Sequence, residues 1–167
     1  EVKRKVALAK QQEQEQLKKA ASATASTQPE KAEAAPVVEA NKPDMASIRK
    51  GILDSFAEEL KRVEKGTDMN AKATLYRKIA DAFKKANDEE MALEFLDKAL
   101  AAEISVGKQE NISVVYEEIA DTYYEKGDFA SSIDNFEKSL ELKEKAGDKA
   151  GASKVLSNIA NVYETTY

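Results

Sequence analysis

Apolar residues recur through most of this chain at spacings of three and four, the mark of helices with one buried face. Over residues 46–65 the row is Ile48, Ile52, Phe56, Leu60 and Val63. Residues 70–86 carry Leu75, Tyr76, Ile79, Ala80 and Phe83, and residues 89–106 carry Ala92, Leu93, Leu96, Ala99 and Leu100. The pair returns at 110–126 and 129–146, and a last helix over about 150–165 offers Val155, Leu156, Ile159, Ala160 and Tyr163. Between these rows stand Gly66, Asn87-Asp88, Gly107, Gly127-Asp128 and Gly147-Asp148. Glycine tolerates the left-handed backbone that closes a helix, and aspartate caps the next one. Gly66 is therefore expected in a left-handed closing position, and Asp88 and Asp128 as caps. Gly51 lies inside its helix at a cost of about 1 kcal/mol relative to alanine.

The pattern repeats at a fixed interval. Shifted by 40 residues, Ile79, Ile119 and Ile159 coincide, as do Ala80, Ala120 and Ala160, then Phe83, Tyr123 and Tyr163. In the second helix of each pair Leu53, Leu93 and Ile133 coincide, then Phe56, Leu96 and Phe136, then Leu60, Leu100 and Leu140. Self-similarity of this kind predicts stacked helix pairs that bury equivalent side chains against one another. Residues 46–65 align with the second helix of a pair, so they read as the surviving half of a degenerate first unit and as an N-terminal cap. The small residues at 80, 120 and 160 let paired helices cross closely, where a larger side chain would overpack by about 1–3 kcal/mol. Phe83 and Tyr123 fill the gap one turn later, and truncating either is expected to cost about 3–5 kcal/mol.

Upstream the character changes. Residues 1–20 are rich in Lys, Gln, Glu and Ala, with high helix propensity but too few apolar positions for a sustained heptad. Two readings stand: a solvated charged helix, or the remnant of a juxtamembrane or coiled-coil segment. Residues 21–45 hold all three prolines, Pro29, Pro36 and Pro43, among Ala, Ser and Thr, and no aromatic residue precedes Phe56. A segment with so little apolar area to bury cannot offset its ordering entropy, which predicts a flexible linker. The domain division is thus 1–20, 21–45 and a helical repeat domain over 46–167.

Composition narrows the chemistry. Residues 46–167 carry a net charge of −6, which disfavours binding to a phosphate backbone. The chain contains neither Cys nor His, which excludes disulfides, thiolate or imidazole metal sites and Ser-His or Cys-His nucleophile pairs. Its six glycines build no phosphate-cradling loop, no calcium-loop pattern occurs, and adjacent carboxylates such as Glu89-Glu90 point apart on a helix. No cofactor is expected, and no enzyme activity. No apolar run approaches the 18 or so residues of a membrane span. A chain that opens on Glu1 is expected to be a piece of something longer.

The residues Tyr116, Ile119-Ala120, Tyr123, Gly127-Asp128-Phe129, Ser132, Phe136 and Ser139 resemble the motif of the tetratricopeptide repeat family. The preceding unit matches with Tyr76, Ile79-Ala80, Phe83, Ala92, Leu96 and Ala99, but puts Asn87 and Glu89 where Gly and an aromatic are usual. The closing proline is absent, with Ile104 and Glu144 in its place, and the 40-residue period looks like the long subtype of the family. The resemblance covers 46–167 and implies an all-α, right-handed solenoid of antiparallel helix pairs. It further implies that the first helix of each pair lines a concave partner groove. Carried onto this chain, the inward row is Arg77, Asp81 and Lys84, then Glu117, Asp121 and Tyr124, then Ser157, Asn161 and Glu164. Some members clamp a peptide carboxylate with Lys and Asn in such rows. Glu117 and Asp121 would repel one here, so the expected partner is a basic or polar peptide, with Tyr124 as a stacking anchor.

Three functional readings follow. The first is a non-catalytic module that presents a peptide- or helix-binding groove to another protein. The second is the sensory or regulatory segment of a larger signalling protein, such as a bacterial histidine kinase. The third is a self-assembly module: Ile159, Val162 and Tyr163 are expected to be partly uncovered where the last helix lacks a partner, leaving a surface either for more repeats downstream or for homo-oligomer formation. A cytoplasmic setting is favoured, with a membrane-tethered protein as the alternative.

Overall fold

The computed structural model describes residues 44–166, and the expectations for residues 1–43 lie outside them. The described residues form six helices and no strand: α1 (Met45–Lys65), α2 (Met69–Lys85), α3 (Glu89–Val106), α4 (Gln109–Lys126), α5 (Phe129–Ala146) and α6 (Lys149–Thr166). Each helix packs on the next in the chain, and the closest packing lies within the pairs α2–α3 and α4–α5. The first helices of successive pairs, α2, α4 and α6, begin at Met69, Gln109 and Lys149, which preserves the 40-residue interval. None of the described helices is long and apolar enough to cross a membrane.

Aspartates set most of the boundaries. Asp44, Asp68, Asp88 and Asp128 cap α1, α2, α3 and α5, each accepting from a backbone N–H in the first turn at 3.1–3.2 Å. Asp148 accepts likewise from Gly151 at 2.9 Å. Three of these residues act twice. The N–H groups of Asp88, Asp128 and Asp148 donate back to the carbonyls of Phe83, Tyr123 and Lys143 at 2.9–3.0 Å. One residue therefore closes the preceding helix with its backbone and opens the next with its side chain. The reversal needs a left-handed residue just before it, supplied by Asn87 (φ 54°), Gly127 (φ 80°) and Gly147 (φ 74°). Lys108 opens α4 without a side-chain cap. Gly66 departs from expectation: its φ of −82° and ψ of 164° are extended backbone, because the chain leaves α1 straight into the Asp68 cap instead of folding back.

The repeating positions form the core. Ile79, Ile119 and Ile159 are 0%, 3% and 1% exposed, and Ala80 and Ala120 are buried beside them. Phe83 is fully buried and stacks on Phe95 at 5.7 Å, and the Tyr76 ring lies tilted against Phe95 at 6.2 Å. Tyr123 and Ala160 are only half-buried, so the equivalence with Phe83 and Ala80 weakens toward the end of the array. Ile159 and Val162, expected to be uncovered, are buried, and only Tyr163 of that trio is half-exposed. Helix α6 packs on α5, which gives these residues cover that the sequence pattern did not predict. Helix α1 buries no residue completely. Its Ile52, Leu53, Phe56, Leu60 and Val63 lean half-covered against the core. Its polar anchor is Arg49, whose Nε and Nη2 donate to the buried Asp88 carboxylate at 2.6 and 3.0 Å.

Candidate functional site

The first helices of the pairs share one polar surface, and the residues on it reach across from helix to helix. Arg77 on α2 donates through Nε to both carboxylate oxygens of Glu118 on α4, at 2.8 and 3.1 Å, and through Nη2 to one of them. Lys84 on α2 lies 3.4 Å from Glu125 on α4. The Tyr124 hydroxyl on α4 shares a 2.9 Å hydrogen bond with Thr165 on α6. Each tie joins residue i to residue i+41, one position beyond the repeat equivalent, and runs between consecutive first helices. The paired arginine and carboxylate are each about one-third exposed, enough to keep water at the rim of the bond.

Besides Lys84 and Tyr124, two further members of the expected groove row are engaged internally. Arg77 is committed to Glu118. Glu117 turns toward α5, where its Oε1 lies 3.1 Å from Lys143 Nζ and accepts from the Ser139 hydroxyl at 3.2 Å. Both charged side chains are 12% exposed, and Lys154 of α6 stands 3.7 Å from Glu117 Oε2. Glu117 thus ties α4 to α5 and α6 in a partly dehydrated network.

Of the other seven residues of the row, five border two depressions, while Ser157 and Glu164 are exposed and line neither. Asp81 and Lys84 line an open one of about 560 Å³ together with Lys85, Asn87, Glu89 and Glu125. Here Asp81 is paired with Lys85 at 2.6 Å. Asp121, Tyr124 and Asn161 come together with Asn158, Phe136 and Val162 around a smaller cleft of about 160 Å³ between α4 and α6. Phe136 and Val162 make its apolar floor, since both are buried. Tyr124 is 36% exposed, and its ring forms an edge-to-face pair with Phe129 at 5.6 Å and 63°. The Asp121 carboxylate accepts no hydrogen bond among the described residues. Loss of surrounding water in the cleft pushes its carboxyl above the ordinary value, Lys84 and Lys154 pull it back, and Glu117 and Glu125 add to the rise.

Sequence reasoning missed the partners on the facing helices: Glu118, Glu125, Lys143, Ser139 and Thr165. The signal that could have found three of them is the offset of 41, an opposite charge or a hydroxyl one position past the repeat equivalent. The Arg49–Asp88 clasp spans 39 residues and follows no such rule.

Residues 114–145, which take in most of α4 and α5, match the family model of the tetratricopeptide repeat. No curated protein matches the chain.

Proposed function

We propose that this chain, which carries a tetratricopeptide repeat across α4 and α5, is a non-catalytic protein-interaction module. It receives an extended peptide on the joined polar faces of α2, α4 and α6. The observation that supports this most is the set of cross-helix ties. Arg77–Glu118, Lys84–Glu125 and Tyr124–Thr165 hold three helices as one preformed surface. A surface ordered before its partner arrives loses little further conformational freedom on binding, which favours recognition by presentation. The charge on this face suits a basic or polar peptide. A terminal carboxylate laid beside α4 would meet Asp121, whose charge no described hydrogen bond offsets.

Selection of displayed peptides against the whole chain, followed by nuclear magnetic resonance mapping of the bound site, tests the reading. Shift changes are expected along α2, α4 and α6, with affinity falling about tenfold in Tyr124→Ala and unchanged in Glu94→Gln on α3. Peptides that map instead to α3 and α5 would overturn it.

A further inference from the structure

We infer that the cleft between α4 and α6 receives the guanidinium head of an arginine side chain from the partner, bound by the Asp121 carboxylate and laid against the Tyr124 ring. This deepens the reading above and rests on it for the identity of the face, not for the chemistry of the cleft. The other carboxylates that α2 and α4 present on this surface already have cations: Glu118 has Arg77, Glu125 has Lys84, Asp81 has Lys85 and Glu117 has Lys143. Asp121 does not. The two lysines that influence it are both occupied elsewhere, Lys84 at Glu125 and Lys154 at Glu117.

The walls of the cleft also suit a cation. Tyr124 is held at its hydroxyl by Thr165 and lies edge-on to Phe129 as a ring pair, yet the residue keeps 36% exposure, which leaves part of its ring available to a cation. Asn158 and Asn161 border the same space, and an amide oxygen can accept the guanidinium N–H groups that one carboxylate leaves over. The buried floor of Phe136 and Val162 suits the aliphatic stem that arginine carries behind its charge. The cleft, about 160 Å³, is small and open on one side, which suits a single side-chain head. An anionic head placed here would face the Asp121 carboxylate.

Titration of the isotope-labelled chain with N-acetyl-arginine amide, followed by amide shifts, reads the site without a known partner. Shifts are expected at Asp121, Tyr124, Asn158 and Asn161. The neutral citrulline analogue and the Asp121→Asn variant should each bind about tenfold more weakly, with Asp121→Asn keeping the thermal transition of the parent chain. Equal shifts with citrulline, equal binding by Asp121→Asn, or shifts confined to other surfaces would overturn the cation site. The two readings fail separately. Selected peptides that occupy this face without a cationic residue, and that tolerate Asp121→Asn, refute the arginine pocket and leave the groove. If the arginine amide binds the cleft while no selected peptide maps to the face, the groove fails and the cation site stands.

Discussion

Lys143→Met removes one half of the least hydrated ion pair described above and leaves the Glu117 carboxylate behind. Both side chains are 12% exposed and their charged atoms are 3.1 Å apart. Removing one partner from a buried pair costs about 3–5 kcal/mol, since the other charge stays desolvated. Two features of this site lower the figure. The Ser139 hydroxyl still donates to Glu117, and Lys154, which is 73% exposed and 3.7 Å away, is free to swing closer. We therefore expect a loss of about 2–3 kcal/mol. Glu117→Gln should cost less, about 1–2 kcal/mol, because the long Lys143 stem can carry its ammonium toward Asp148 and solvent. The double variant should recover part of the loss, with a coupling energy of about 1–2 kcal/mol. Urea denaturation followed by far-ultraviolet circular dichroism measures all three, and an unchanged m-value confirms that stability alone has moved. The coupling should also survive added salt, unlike that of exposed pairs such as Lys50–Asp54. A cost below about 1 kcal/mol for Lys143→Met, or coupling within the roughly 0.5 kcal/mol error of additivity, would refute the view of Glu117 as an internal tie.

Other consequences are open to direct measurement. Phe83→Ala should cost about 3–5 kcal/mol, whereas Tyr123→Ala, half-buried at the equivalent position, should cost about half that; equal losses in denaturation would contradict the observed burial. Ser132 is buried with an Oγ that finds no partner, and Ala92 occupies the equivalent place one repeat earlier, so Ser132→Ala should be neutral or stabilise by about 1 kcal/mol, read as a raised melting temperature. The Arg49 hydrogen bonds, opposed by burial and assisted by the Met91 N–H, hold the Asp88 carboxyl below its ordinary value. Its contribution to stability is thus present above the unfolded value of about 3.9 and lost as pH falls through the depressed folded value. Amide protection in α1 should fall over that acid window, and Arg49→Met should flatten the dependence; protection independent of both would remove the clasp from the account.

Most of the fold was legible because it follows from periodicity. The isoleucines at 79, 119 and 159 could be placed inside from spacing alone, and Asp88 and Asp128 could be read as caps from their place after Asn87 and Gly127. Phe95 escaped notice because it falls between the core positions at 92, 93, 96 and 99, and its burial depends on two aromatic rings contributed by α2. The site was legible only as a row. Helical geometry puts Glu117, Asp121 and Tyr124 on one side of α4, but which of them turns inward is decided by Lys143 on α5, a residue no rule of spacing within α4 can indicate. The burial of Ile159 and Val162 likewise depends on how far α5 extends over α6, a tertiary fact.

The offset of the cross-helix ties means that two messages are written over one another in this chain, and that they cannot be copied together. Suppose residues 109–148 were duplicated in tandem. The interior would be reproduced faithfully, since every buried position would find its counterpart. The outer lacing would not: Tyr124 of the first copy would meet a glutamate in place of Thr165, and Glu117 would come opposite another glutamate where Arg77 now stands opposite one. An array of this type can lengthen by copying its inside, but each new unit must rewrite its outside before neighbouring helices lock.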